Sequence, residues 1–206
     1  MGIAERQKRQ KRQKENLRQE IFDAASELFA QEGYANVSMR KIAERIEYSP
    51  TTIYLYFKDK TELLKYICEE TFAKLGEEIR EISEPETEPI TALRKGLRAY
   101  VDFGLAHPNH YEVVFGMPIF NQPHDEDYSY EGSMGQRTFE YLRSQVEACV
   151  AAGKIKNGDV AMMSQILWAG IHGIVSLLNN HLDFPFVEKN ELIDGMIETM
   201  IDGLKP

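Results

Sequence analysis

Apolar residues recur along this chain at intervals of three and four rather than two, and that spacing confines it to helices. Leu17, Ile21, Ala24, Leu28 and Phe29 make the first stripe, and Gly33 supplies its C-terminal stop. Ser38 is the expected N-cap of a second, short helix whose apolar side is Ile42, Ala43 and Ile46. Ser49-Pro50 opens a third helix that ends near Phe57, with proline at the first helical position, where its missing N–H costs nothing. Asp59 caps a fourth, with Glu62 three residues on in a capping-box-like start. That helix carries Leu63, Leu64, Ile67, Cys68, Leu75 and Ile79 and is expected to run to about Ile82. A linker rich in Pro and Glu, Ser83 to Glu88, follows it. Further helices are expected over about Pro89–Ala106, just after His107-Pro108, and over Met134–Ala152, Asp159–Leu182 and Glu188–Leu204. Met117 to Ser133, with Pro118, Pro123 and the acidic run Asp125 to Asp127, reads as an irregular loop. No strand-like alternation and no internal repeat stand out, so the fold class is all-α with about nine helices.

The chain has 206 residues, 43% hydrophobic and 28% charged, which suits a globular protein able to bury a sizeable core. Its two cysteines, Cys68 and Cys149, sit in apolar helical patterns and read as reduced core thiols, as in a cytoplasmic protein. No apolar run approaches the length a membrane span requires, and no apolar segment follows the basic start as a secretory signal requires. The formal net charge is −9, but it is uneven. Residues 1–58 hold 11 Lys+Arg against 8 Asp+Glu, and residues 59–206 hold 13 against 25. Within 1–18 the balance is 7 against 2. Screening limits the reach of distant acidic charge, so a local basic footprint can still meet phosphate.

Val37 to Leu64 is the informative stretch. Two short helices joined by a tight turn and braced by a third make a helix-turn-helix. On the second of the pair, Ile53 and Phe57 are four apart and fill a small core, while Thr52 and Tyr56 share a neighbouring face. Thr51, Thr52, Tyr54 and Tyr56 offer hydroxyls and aromatic edges suited to phosphates and bases in a major groove, and Lys60 adds a phosphate contact. By pattern alone, a small polar helix packed on a domain core fits equally well.

The order of Phe29, Gly33 and Tyr34, of Ser38 with Ile42-Ala43, and of Ser49-Pro50-x-Thr52-Ile53-Tyr54-x-Tyr56-Phe57-x-x-Lys60-x-x-Leu63 closely resembles the DNA-binding domain of TetR-family regulators. The resemblance spans about Ile21 to Leu64. It implies a helix-turn-helix domain over 1–60 and a larger helical effector-binding and dimerisation domain over 61–206. It also implies a homodimer that binds double-stranded operator DNA, most often as a repressor, and is released by a small-molecule effector. On that footing the DNA-contacting set is Ser38, Arg40, Tyr48, Thr51, Thr52, Tyr54, Tyr56 and Lys60. Two positions depart from the family pattern. Glu47 stands where the turn usually carries Gly, which implies strain of about 1 kcal/mol or a different turn shape. Thr51 stands where many members have Gly. Residues 1–18 extend beyond the family core, either as a flexible arm for the minor groove or DNA backbone, or as a solvated helix end.

The last two helices are apolar over wide faces, and the resemblance implies that they pair with their copies as a four-helix bundle. The expected interface is Ile166, Gly170, Ile174, Leu178, Met196, Ile197 and Met200, with Gly170 and Gly173 small enough for another helix to approach. Trp168, His172 and Gly173 resemble a Trp-x-x-x-His-Gly signature of one TetR subgroup. The candidate effector site is Phe103, Tyr111, Phe115, Met117, Trp168 and His172, which suits an apolar ligand with one polar handle; packing within the core or dimer interface is the competing reading.

A metal-dependent helical enzyme would draw on His107, His110, Glu112, His124 and Asp125, yet their spacing matches no known ligand motif. A helical adaptor without DNA binding is the third class. With no catalytic triad, phosphate loop or nucleotide fingerprint, the expectation is a regulator without catalysis, cofactor, metal or membrane partner.

Overall fold

A computed structural model describes residues 3–116 and 129–206, with side chains from Glu5 onward in the N-terminal part. The irregular loop expected from Met117 lies outside the described residues as far as 128. Nine α-helices are present among the described residues: α1 (Ile3–Glu32), α2 (Met39–Arg45), α3 (Pro50–Tyr54), α4 (Lys60–Ser83), α5 (Pro89–Ala106), α6 (Pro108–Tyr111), α7 (Met134–Ala151), α8 (Val160–Asn180) and α9 (Lys189–Leu204). A 3₁₀ turn, Tyr34–Asn36, lies between α1 and α2, and a π-helical turn, Glu112–Gly116, follows α6.

The helices group into two compact units that divide within α4. The first holds the chain to Glu69 together with residues 109–116 of the described chain, and the second holds Glu70–Pro108 and Ser129–Pro206. The break thus falls nine residues beyond the expected boundary at residue 60. It does so because Leu63, Leu64 and Ile67 of α4 belong to the core built on Ile21, Phe22, Phe29, Ile42, Ile53 and Phe57. Val113 joins that core as well, so the turns after Pro108 pack with the small unit.

The local signals act where the sequence puts them. Gly33 takes φ 79 and its N–H donates to the Phe29 carbonyl at 2.9 Å, closing α1. The Ser38 hydroxyl accepts from the Lys41 N–H, and the Ser49 hydroxyl from the Thr52 N–H. At α4 the Asp59 carboxylate accepts from the Glu62 N–H at 2.8 Å, while the Glu62 carboxylate reaches back to the Lys58 N–H at 2.5 Å. Between α2 and α3, Glu47 sits at φ 60. Its N–H donates to the Glu44 carbonyl at 3.2 Å, and the Tyr48 N–H to the Ala43 carbonyl at 2.9 Å. These are the two bonds of a Schellman closure. The turn therefore keeps the left-handed shape without glycine, and the strain is accepted rather than avoided.

In the second unit α5 is central, packing against α7, α8 and α9. Two arginines of α5 fasten α9: Arg94 pairs with Glu198, and Arg98 with Asp194 at 2.7 Å. Asn179 of α8 donates to the Gly104 carbonyl at 3.1 Å. One expectation is corrected: α8 is long and apolar enough by composition to cross a membrane. Within this unit it packs through buried Met163, Leu167, Ile171, Ile174 and Val175.

Because only Glu47 among described non-glycine residues has positive φ, Glu47→Gly is expected to stabilise the protein by about 0.5–1 kcal/mol. That is a rise of roughly 1–4 °C in thermal midpoint for a chain of this size. Calorimetry checks it; an unchanged or lower midpoint means that the turn stores no strain.

Candidate nucleic-acid interface

The α2–α3 pair turns one side inward. Ile42, Ala43, Ile53 and Phe57 are fully or almost fully buried. A helix advances about 100° per residue, so Leu55, two residues from both Ile53 and Phe57, is carried to the opposite side. It is 76% exposed, and Tyr54 beside it is 52% exposed. Thr51, Tyr48, Ser38 and Arg40 are also exposed. The outward surface of the pair therefore combines hydroxyls, two aromatic rings, one guanidinium and one aliphatic tip. Leu55 is the member that sequence reasoning missed, although the 53/57 core spacing marks its place.

Exposed Ser38 also caps α2, and Arg40 also pairs with Glu44 at 3.2 Å; three further residues of the expected set are half-buried and have other commitments. The Thr52 hydroxyl is half-buried and lies 2.9 Å from the Ser49 hydroxyl, at the cap of α3. Tyr56 is half-buried and packs against the core. Lys60 Nζ donates to the carbonyls of Tyr34 at 2.6 Å and Val37 at 2.8 Å, and stands 4.1 Å over the Tyr34 ring. Burial pushes this ammonium below the usual lysine range. Two of its three N–H donors thus hold the turn before α2 to the start of α4. Ion pairs add to the same frame: Arg45 grips Glu27 at 2.6 and 2.8 Å, and Lys41 pairs with Glu32, tying α2 to α1.

In the second unit, Trp168 and His172 are brought together with a residue the sequence did not point to. The indole N–H of Trp168 donates to the Tyr100 hydroxyl at 3.3 Å, and that hydroxyl lies 3.5 Å from Nδ1 of His172. Phe139 meets the indole edge-on at 6.0 Å. Burial holds the His172 imidazole below its ordinary range. Tyr100 lies 72 residues from His172 in sequence, so only the fold reveals this cluster. Of the other expected effector residues, Phe103 is buried in the same unit with its ring 4.8 Å from His107, and Tyr111 and Phe115, which belong to the first unit, have their rings 4.6 Å apart. Met117 lies outside the described residues.

The expected dimer set divides in two. Ile174 is 6% exposed and Ile197 2%, so both serve the core of their own chain. Gly170 likewise serves intrachain packing, because a Cβ there would overlap Sδ of Met200. Met196, Met200 and Leu178 are partly covered. Ile166 is 50% exposed, and Met162, Leu177 and an unobstructed Gly173 continue the same stripe along α8.

Among the described residues, the metal-site candidates are not gathered. His110 lies 3.6 Å from Asp23 and against the Phe22 ring, and no group of three potential ligands occurs among the described residues. His124 and Asp125 are outside them.

Comparisons with known proteins point one way. Residues 21–67 match the family described as bacterial regulatory proteins, tetR family, and residues 93–200 match a tetracyclin repressor-like C-terminal domain. A fatty acid metabolism regulator protein of Bacillus subtilis is 26% identical over 205 residues, covering 94% of this chain and 98% of its own length. An HTH-type transcriptional regulator of Haemophilus influenzae is 42% identical over 60 residues, 29% of this chain and 32% of its own. The crystal structure of a TetR family transcription regulator from Marinobacter aquaeolei VT8 has the same fold at 19% identity, with a TM-score of 0.77 covering 94% and 98% of the two chains.

The two sides of α8 make separable predictions. Ile174→Asp buries a carboxylate in the chain's own core and is expected to cost several kcal/mol and unfold the second unit. Ile166→Asp is expected to leave the helical circular dichroism intact and to alter only self-association in sedimentation. Equal damage from both substitutions would contradict this division.

Proposed function

The chain belongs to the TetR family of bacterial transcription regulators, and on that premise we propose how it binds DNA and answers a signal. It is a DNA-binding regulator, not an enzyme, as its matched families and relatives are. In the proposed mode α3 enters the major groove. Thr51, Tyr54 and Leu55 face base edges, with the leucine tip suited to a thymine methyl, and Ser38, Arg40 and Tyr48 meet the backbone. Thr52, Tyr56 and Lys60 hold the shape of that surface, although the third N–H of Lys60 leaves a phosphate contact open. The outward face of α3, with its inner side locked by Ile53 and Phe57, is the observation that carries this reading.

Two copies join through the α8 stripe of Met162, Ile166, Gly173 and Leu177 with neighbouring parts of α9, and bind a near-palindromic operator in the cytoplasm. Small-molecule binding in the second unit releases the DNA by favouring a conformation with lower operator affinity, so the protein acts as a repressor. The Tyr100–Trp168–His172 cluster gives a hydroxyl and an imidazole beside a large indole, which suits an apolar ligand carrying one polar group. The fatty-acid role in the name of the Bacillus relative accords with such a ligand.

Selection of bound duplexes from a random pool tests the reading. It is expected to return a site with two related half-sites, to which Thr51→Ala and Tyr54→Ala each bind several-fold more weakly, about 1 kcal/mol, without loss of fold. A compound that releases the selected site is expected to change Trp168 emission with the same midpoint, a midpoint that moves in His172→Ala. Recovery of no common sequence would sink the DNA reading, and release with unchanged emission would move the effector site away from Trp168.

A further inference from the structure

The N-terminal extension is helix, not loose chain. α1 begins at Ile3, and from Glu5 onward its first buried side chain is Leu17. At about 1.5 Å per residue, residues 3–16 extend some 21 Å of helix beyond the core. Residues 5–16 read Glu-Arg-Gln-Lys-Arg-Gln-Lys-Arg-Gln-Lys-Glu-Asn, with no apolar side chain and every side chain exposed. The segment is three successive Arg-Gln-Lys triplets, 6–8, 9–11 and 12–14. A period of three drifts about 60° per triplet on a helix, so the arginines line one side and the lysines the other. The result is a rod positive around its circumference.

Arg, Gln and Lys all favour helix, yet the triplet repeat sets like charges at i,i+3: Arg6–Arg9, Arg9–Arg12, Lys8–Lys11 and Lys11–Lys14. Lys11 pairs with Glu15 at 3.8 Å, whereas Arg6, Lys8, Arg9, Arg12 and Lys14 form no ion pair among the described residues. A polyanion alongside such a helix would turn this repulsion into attraction. Its root is fixed: the Arg18 guanidinium lies over the rings of Phe57, 5.2 Å away, and Tyr66, 4.4 Å away. Phe57 lies three residues past the end of α3, so the rod leaves the core beside that end of the proposed reading helix.

We infer that residues 3–16 are a second DNA-binding element, a basic helical arm that grips the phosphates of duplex DNA flanking the site read by α3. This rests on the DNA-binding mode proposed above. The absence of any apolar side chain between Glu5 and Asn16 disfavours a membrane surface, which an interfacial helix enters with an apolar face. At about 3.4 Å per base pair the arm covers roughly six base pairs of flank.

The test uses the full-length protein, a variant with Arg6, Lys8, Arg9, Lys11, Arg12 and Lys14 all changed to Gln, and a truncation starting at Asn16. Each is titrated on two duplexes: the selected site ending at its half-site edges, and the same site with about ten base pairs added on each side. All three proteins are expected to bind the short duplex alike. On the long duplex the full-length protein binds at least tenfold tighter than either variant at moderate salt. Its log K against log salt slope is steeper by several units, reflecting the added phosphates. Equal affinity and slope on the long duplex overturn the arm, as does equal weakening on the short one, which would mean damage to the core. Loss of binding to vesicles rich in phosphatidylserine, with DNA binding unchanged, overturns it in favour of a membrane partner. Failure of the full-length protein on both duplexes falls on the parent reading instead.

Discussion

What the first unit can present to a ligand depends on the angle between α2 and α3, and that angle is set in a single left-handed residue, Glu47. The two carbonyl closures to Ala43 and Glu44 stop α2 and reverse the chain, so that Ser49 can cap α3 with Ile53 already turned inward. The remaining braces answer to this turn. Lys60 pins the segment before α2 to α4, Arg45 and Lys41 pin α2 to α1, and Arg18 stacks on Phe57 just past α3. Exposed ion pairs contribute little individually, so the buried side of α3 and the turn geometry carry most of the definition.

The second unit shows how one apolar helix serves two purposes. α8 is apolar around most of its circumference, which is why its composition alone passes for a membrane span. Burial separates its sides: Ile171, Ile174 and Val175 face the core, while Met162, Ile166 and Leu177 face outward. A glycine divides the same way, since Gly170 admits Met200 of α9 and Gly173 is open. Hydrophobic pattern reports that a side chain prefers burial and is silent on which chain buries it. For that reason the expected interface mixed core and surface positions.

The same contrast explains what could be read in advance. Caps, stops and helix spacing are local chemistry, and Ser38, Ser49-Pro50, Asp59 and Gly33 act as their residue types dictate. The helix-turn-helix followed from them. Roles set by tertiary contact were not legible: Lys60 reads as a free cation until the Tyr34 and Val37 carbonyls are seen beside it. Tyr100 gains its meaning only from partners on α8. Leu55 was legible in principle, because the inward pair at 53 and 57 leaves 55 facing out, although an aliphatic side chain carries none of the hydrogen-bonding groups that mark Thr51 and Tyr54.

As proposed, the outward face of α3 lies in the major groove of two related half-sites. Both native cysteines are buried, so Leu55→Cys offers one accessible thiol to which a DNA-cleaving iron chelate can be tethered. Bound to the selected operator, the labelled protein is predicted to cut at two positions related by the site's dyad, one in each half-site, about one helical turn or a multiple apart. Specific binding without cleavage at those positions, or cleavage confined to DNA outside the half-sites, would contradict the account.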